Sequence, residues 1–153
     1  MLKRVLEIKP DLAEGWYNMG MVYKAKEDAG NAIAAFEKAI SLKPDYVRAY
    51  CKIGNCRKIL LNDLEGALKF FDKAIEINPN FLAAYLFKAD ACQEAGCFTE
   101  AEEILRKVLA KDESSFSAYL KLAYAKAVDQ DDLACLRARP GRARNRYTPE
   151  PAD

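Results

Sequence analysis

The sequence predicts an all-α protein, a solenoid of three full helix-turn-helix repeats with half a repeat at each end. Two observations lead to this prediction: apolar residues recur at helical spacing, and prolines recur at a nearly constant interval. Pro10, Pro44 and Pro79 are separated by 34 and 35 residues, and each is followed by Asp or Asn, which commonly cap a following helix. A period of this length with helical content is typical of stacked repeats.

The first full repeat covers residues 13–46 and contains two predicted amphipathic helices. The apolar residues of the first helix lie at i, i+3, i+4 and i+7, namely Trp16, Met19, Gly20 and Tyr23. Those of the second helix lie at i, i+4, i+7 and i+8, namely Ala32, Phe36, Ala39 and Ile40. A polar break that contains Gly30 predicts the turn between them. Asp11 and Glu14 have the spacing of a capping box, so Asp11 is expected to cap the first helix.

This order of residues resembles the tetratricopeptide repeat (TPR) family. The family's first helix carries an aromatic, a large apolar, a small and a second aromatic residue, and its second helix is closed by a proline, here Pro44. The second repeat, residues 47–81, keeps this order, with one extra residue in its break and Arg57 in place of the second aromatic. The third repeat, residues 82–115, departs from the order at Lys88, Cys92, Val108 and Glu113. The resemblance implies a right-handed α-solenoid.

Half a repeat is predicted at each end of this array. Residues 1–11 parallel the last turns of a second helix, so we predict the C-terminal part of a preceding repeat there. The apolar surface left open at this end is expected to favour self-association. Residues 116–128 match a further first helix, which we expect to cap the third repeat. Residues 129–153 form an Arg- and Pro-rich tail that we expect to be mostly disordered, because it has little apolar surface to bury.

The composition argues against a membrane protein and against a general attraction to nucleic acid. The 24 Lys and Arg residues nearly balance the 23 Asp and Glu residues. The sequence has no apolar run long enough to cross a membrane, and the charged residues near its start argue against a secretory signal. We therefore expect an intracellular protein of the cytoplasm.

The sequence predicts no metal site, no cofactor and no enzymatic activity. It has five cysteines and no histidine, and an odd number of cysteines fits reduced thiols in the cytoplasm. The cysteine spacings do not match a zinc site, and neither a phosphate-binding loop nor a nucleophile motif is present. Asp90 and Glu94 lie four residues apart and are the best candidate for an acid pair. An ordinary solvated helix face explains these two carboxylates more simply.

The resemblance implies that the first helices line a concave groove in which partner peptides lie. The candidate groove residues are those that face away from the apolar stripe of each first helix. In the first repeat they are Tyr17, Asn18, Met21 and Lys24, and in the second Arg48, Cys51, Lys52, Asn55 and Lys58. In the third repeat they are Leu86, Phe87, Asp90 and Gln93, and Lys121 and Tyr124 extend the line.

The chemistry of these residues predicts an adaptor or scaffold that binds an extended, acidic peptide with an apolar anchor. The amides of Asn18 and Asn55 suit the unpaired backbone of such a peptide. The cations Arg48, Lys52 and Lys58 favour a carboxylate or phosphate, and Leu86 and Phe87 offer an apolar step. The alternative is that the apolar pair packs on a neighbouring helix while the cations are merely solvated.

The sequence offers two further candidate sites. One subclass of the family holds the C-terminal carboxylate of chaperone tails with a clamp of Lys, Asn and Arg. Here the matching positions carry Tyr17, Met21, Lys52, Ala83 and Phe87, so we predict that the clamp is absent. The tail arginines, Arg137, Arg139, Arg142, Arg144 and Arg146, could instead bind nucleic acid or another acidic partner. We favour a solvated tail, because acidic residues precede these arginines.

Overall fold

The computed structural model describes residues 11–129, and within that range it contains seven α-helices and no strand. The helices are α1 (Ala13–Ala25), α2 (Ala29–Leu42), α3 (Val47–Leu60), α4 (Leu64–Ile77), α5 (Leu82–Glu94), α6 (Phe98–Lys111) and α7 (Phe116–Asp129). None of these helices is both long and apolar enough to span a membrane. The expectations for the preceding half-repeat and for the arginine-rich tail lie outside the described residues.

The chain divides into two compact units, and the boundary falls inside α5, between Phe87 and Lys88. We call them the N-terminal unit and the C-terminal unit. In the N-terminal unit α1 packs against α2, α2 against α3, and α3 against α4. Its core includes three clusters among the described residues: Ala32, Phe36, Ile53 and Cys56; Val47, Cys51, Ala74 and Ala84; and Met19 and Ala35. In the C-terminal unit α6 packs against α7.

Glycine is required where the two helices of a repeat approach each other most closely. A Cβ atom added to Gly20 would lie 2.6 Å from the Phe36 ring, and one added to Gly54 would lie 2.5 Å from the Phe71 ring. Both phenylalanines are fully buried, so neither ring can move aside freely. The third repeat carries Ala89 at this position, and its buried partner position holds the smaller Leu105 in place of phenylalanine.

The turns inside the repeats differ from the expectation that Gly30 makes the first turn. Gly30 lies within α2, and the residue with left-handed backbone is Glu27, at φ 58°. The corresponding residues of the next two turns, Asn62 at φ 52° and Gly96 at φ 79°, have the same conformation. Each turn therefore reverses the chain at one left-handed residue, and in the first turn that residue is Glu27 rather than Gly30.

The helix caps also correct the sequence prediction. The N-cap of α1 is Leu12, without a side-chain hydrogen bond, so the predicted cap at Asp11 was wrong. The N-cap of α3 is likewise Tyr46, because one further residue separates the Pro-Asp pair from the helix. The side-chain caps lie at the turns inside the repeats, where Asp28 accepts a hydrogen bond from the Asn31 amide and Asp63 from the Gly66 amide.

A repeated hydrogen bond explains why tyrosine and proline keep the same spacing. The Tyr50 hydroxyl donates to the carbonyl oxygen of Pro44 at 3.2 Å, and the Tyr85 hydroxyl donates to that of Pro79 at 3.1 Å. Each bond ties the turn that closes one repeat to the first helix of the next. Trp16 stands at the same position in the first repeat and has no hydroxyl to make this bond.

Arg57, which replaces the second aromatic residue of the family pattern, makes contacts of its own at that position. Its guanidinium lies 5.2 Å from the centroid of the Phe70 ring, a cation–π contact. The Nη1 atom of Arg57 also donates to Oδ2 of Asp63 at 3.0 Å, while Oδ1 of Asp63 caps α4. The arginine therefore packs on an aromatic ring and holds the capping residue of the longer turn.

Candidate binding site

A pocket of about 250 Å³ opens in the N-terminal unit and brings together five of the predicted groove residues. Tyr17 comes from α1, Arg48, Cys51 and Lys52 come from α3, and Phe87 comes from α5. The pocket therefore spans three consecutive first helices. The sequence prediction missed two further lining residues, Phe81 in the turn before α5 and Ala83 in its first turn.

The aromatic walls of the pocket are held by the core. The Tyr17 ring stacks on Tyr46 with the ring centroids 5.1 Å apart, and lies 5.5 Å from the Phe36 ring. The Phe87 ring stacks on Phe71 at 5.8 Å. Phe87 thus packs on a neighbouring helix, the alternative weighed from the sequence, and also lines the pocket. Burial raises the pKa of Tyr17, so its hydroxyl stays neutral at physiological pH.

Two cations, Arg48 and Lys52, line this pocket, and Lys24 is a third cation close to Lys52. Burial lowers the pKa of Lys52, and the nearby charges of Lys24 and Arg48 lower it further. Across residues 11–129, Lys24, Arg48 and Lys52 form no ion pair with an acidic side chain. Mutual repulsion in a partly dry site is unfavourable, and an anion bound from solution would relieve it.

Asn55 lies one turn beyond Lys52 on α3 and is the buried polar residue of the described core, with 7% of its surface exposed. Its side chain has no hydrogen-bond partner among residues 11–129. The amide atoms are not fully buried, so they can take a donor or acceptor that a ligand supplies. Asn18, the other predicted amide, is exposed on α1.

The remaining predicted residues of the N-terminal unit are less available. Met21 packs against the core cluster that contains Ile53 and Cys56, and Lys58 and Leu86 are half-buried. Cys51 is only 2% exposed, and burial raises its pKa to about 11. Its thiol is therefore neutral at physiological pH and acts as an apolar wall rather than as a nucleophile.

The predicted groove residues of the C-terminal unit contact one another. The ammonium group of Lys121 is paired with the Asp90 carboxylate. The Gln93 side chain donates to the backbone carbonyl of Lys121 at 2.8 Å. The Tyr124 ring packs edge-on against Phe98, with the centroids 6.3 Å apart. The charged groups of Asp90 and Lys121 and the amide of Gln93 thus already have partners within the C-terminal unit.

The described cysteines are free, buried thiols, namely Cys51, Cys56, Cys92 and Cys97. Cys135 lies outside the described residues. Within residues 11–129 no cluster of three or more His, Cys, Asp or Glu residues has the arrangement of a metal site.

Comparison with protein families identifies the repeats. Two tetratricopeptide repeat models match the sequence, one over residues 13–46 and the other over residues 59–127, together about two thirds of the chain. The chain belongs to the tetratricopeptide repeat family. A comparison with curated protein sequences gave no match.

Solved structures of TPR domains share this fold. The TPR2B domain of yeast Sti1, in a complex described with pHsp70, is 29% identical with a TM-score of 0.67, and the match covers 78% of this chain and 97% of that one. The first TPR of Spaghetti (RPAP3), bound to the HSP90 peptide SRMEEVD, is 18% identical with a TM-score of 0.68, covering 78% and 94%. The Arabidopsis OM64 TPR domain is 19% identical with a TM-score of 0.68, covering 75% and 94%.

These likenesses confirm the predicted fold class, an all-α helical repeat solenoid. Five of the seven residues that line the pocket were predicted, because residues at equivalent repeat positions lie on the same face of successive first helices. The register did not indicate Phe81, because this residue precedes α5 and belongs to the turn. A sign of its role was available in the sequence, since an aromatic or apolar residue follows the Pro-Asp or Pro-Asn pair in each repeat junction, as Leu12, Tyr46 and Phe81.

Proposed function

We propose that this TPR protein is an adaptor that binds an acidic peptide segment of a partner protein in the pocket between α1, α3 and α5. The observation that carries the proposal is the group of Lys24, Arg48 and Lys52, which lies beside an apolar pocket and has no acidic partner among the described residues. A carboxylate or phosphate of the peptide is the group that relieves their repulsion.

The rest of the pocket defines the other features of the ligand. The space between Tyr17 and Phe87 accepts one apolar side chain, which would be buried against rings already held by the core. The amide of Asn55, which has no hydrogen-bond partner among residues 11–129, suits the backbone of an extended segment. An acidic residue next to a leucine or aromatic residue is therefore the expected core of the recognised sequence.

Chaperone tails are a useful reference because they are also acidic and carry apolar residues. Two structural neighbours are described as complexes with an HSP90 peptide and with pHsp70. In this chain Tyr17, Met21 and Phe87 stand where the carboxylate clamp needs cations or asparagine. We therefore expect the peptide SRMEEVD to bind weakly here, and a micromolar affinity that is lost in Lys52→Ala would contradict this expectation.

The test of the proposal is peptide selection followed by titration. Peptides enriched from a random display library on the full chain are titrated against the wild type and against Lys52→Glu, with Lys73→Glu as control. Lys73 is an exposed lysine on α4, so its reversal changes the net charge equally but not the pocket. We expect acidic–apolar sequences, at least a tenfold loss of affinity in Lys52→Glu, and less than a twofold change in the control. Selected peptides without acidic residues, or equal losses in both variants, would reject the proposal.

We further infer that the chain is a binding module of the cytoplasm rather than an enzyme. Its described cysteines are free thiols, which fits a reducing compartment, and burial raises the pKa of Cys51 and Cys56. Asp90, one member of the acid pair considered from the sequence, is paired with Lys121. Fractionation of cells that produce the protein tests the location.

A further inference from the structure

The last described helix, α7, carries its large apolar residues on the outside. Phe116 is 73% exposed, Tyr119 51%, Leu120 56% and Tyr124 57%, whereas the residues that α7 buries are Ala118 and Ala125. At the matching positions of α3, Val47 is 9% exposed, Cys51 2% and Asn55 7%. A patch of four large apolar side chains on one short helix is the kind of surface that marks an interaction site.

Within residues 11–129, α7 is not followed by a second helix of the kind that follows α1, α3 and α5. Each first helix is followed by a three-residue turn and a second helix, whose eighth residue is Phe36, Phe71 or Leu105. These three side chains are fully buried. The same count from the end of α7 reaches Pro140, which has no large side chain to insert and does not fit a helix interior. Arginines follow it where apolar residues occur in the other repeats.

We propose that the exposed face of α7 is a dimer interface, at which α7 of a second copy packs antiparallel. The exposed residues form a stripe at i, i+4, i+7 and i+11, namely Phe116, Leu120, Ala123 and Ala127, which is the spacing of a helix–helix contact. In an antiparallel pair centred between Lys121 and Leu122, Phe116 of one copy faces Ala127 of the other, and Leu120 faces Ala123. Each large residue of this stripe then meets a small one, while Tyr119 and Tyr124 lie at opposite edges of the contact.

Charge and area are consistent with this arrangement. The stripe has no charged residue, and Lys121 is directed to Asp90 of its own copy, so no like charges meet at the centre. The four large side chains leave about 450 Å² uncovered in each copy, given that an aromatic side chain has roughly 150–250 Å² of surface. A symmetric pair would bury about 900 Å² of this surface, which is at the low end for specific interfaces, so we expect a dimer of micromolar affinity.

The oligomeric state of the full chain tests the interface. Sedimentation velocity over a concentration series should show a monomer–dimer equilibrium, and Leu120→Arg should weaken the dimer at least tenfold because it places a charge against Ala123 of the other copy. Circular dichroism checks that this variant keeps its helices, which is expected because Leu120 is exposed. A strict monomer at about 100 µM, far above a micromolar dissociation constant, would overturn the proposal.

Cross-linking tests the antiparallel geometry with two matched variants, Ala123→Cys and Ala127→Cys, in the background Cys135→Ser. Both alanines are exposed and lie one turn apart on α7. Near the centre of the pair, the two Ala123→Cys thiols come within disulfide distance, while those of Ala127→Cys are separated by about 16 Å along the helix axis. Oxidation should therefore cross-link only the first variant. Equal cross-linking of both variants, or of neither, would overturn the proposed arrangement.

A thiol-labelling experiment on Ala123→Cys covers the case in which the chain's own residues occupy the face. In the proposed dimer a maleimide should react at least tenfold more slowly at high protein concentration than at low concentration, because dimerisation covers the thiol. Labelling that is slow at every concentration would mean that the face is covered within one copy. That outcome would overturn the proposal.

Discussion

Lys52 and Lys121 occupy the same position in two first helices, 69 residues apart, and have opposite surroundings. Lys52, in the N-terminal unit, has Lys24 and Arg48 as charged neighbours and no acidic partner among the described residues. Lys121, in the C-terminal unit, is paired with Asp90. A lysine at a groove position is thus available to a ligand only where the neighbouring helix leaves it without a carboxylate. The position in the repeat does not decide this; the residue opposite does.

The same substitution at Lys52 and at Lys121 should have opposite effects on binding and on stability. Lys52→Met should lower the affinity for an acidic peptide by about tenfold or more, because an anion loses its closest cation. The stability of the fold should change little, since repulsion with Lys24 and Arg48 is removed as well. Lys121→Met should do the reverse, leaving affinity unchanged but lowering the free energy of unfolding by about 1 kcal/mol, because Asp90 loses its partner. Titration calorimetry and urea denaturation measure the two effects.

The buried thiol of Cys51 should make the stability of the fold depend on pH in the alkaline range. Burial raises the pKa of Cys51 from 9.0 to about 11, so the folded chain keeps this proton at pH values where the unfolded chain has lost it. This contribution to stability is complete below pH 9 and is lost as the pH rises to 11, a loss of about 2 kcal/mol for one thiol. In Cys51→Ala the decline in unfolding free energy over this range should be smaller. An unchanged decline would show that Cys51 does not contribute to it.

The two units have different residue pairs where the two helices of a repeat approach most closely. The N-terminal unit has Gly54 and Phe71, and the C-terminal unit has Ala89 and Leu105. Gly54→Ala should lower the free energy of unfolding by about 1–2 kcal/mol, because the added Cβ lies 2.5 Å from the buried Phe71 ring. Adding Phe71→Leu copies the pair Ala89 and Leu105 of the C-terminal unit and should recover part of that loss. A double-mutant cycle measured by urea denaturation gives the coupling, and strictly additive effects would contradict the explanation.

The smallest expected effect concerns the left-handed turn residues, Glu27 in the N-terminal unit and Gly96 in the C-terminal unit. Glu27→Gly should raise the free energy of unfolding by about 0.5–1 kcal/mol, because glycine adopts φ 58° without strain. Gly96→Ala should lower it by about 1 kcal/mol, although an added Cβ would have no neighbour within 4 Å. Thermal denaturation of both variants checks the opposite signs.

The sequence predicted the repeats and their apolar faces well, because both follow from periodicity. Pro44 and Pro79 mark real repeat junctions, and Gly20 and Gly54 stand where only a small residue fits. The sequence did not predict the helix caps, because a shift of one residue changes which side chain stands at the N-cap position. Asp11 does not cap α1, since Leu12 intervenes.

The candidate site could be predicted only in part from the sequence, because some of its contacts join residues far apart in the chain. Tyr17, Arg48, Lys52 and Phe87 meet in one pocket, as repeat register allows. The pairing of Asp90 with Lys121 links residues 31 positions apart in sequence. No periodic pattern encodes such a pairing.

The hydrogen bonds from the Tyr50 hydroxyl to Pro44 and from the Tyr85 hydroxyl to Pro79 are local to the two repeat junctions. Each of these hydrogen bonds joins residues six positions apart, so it does not depend on the sequence of the repeat before the junction. Excising residues 45–79 would join Pro44 to Asn80 and recreate the Pro-Asn dipeptide of the second junction. In the shortened chain Tyr85 would stand six positions after Pro44, the separation at which this hydrogen bond forms at both junctions.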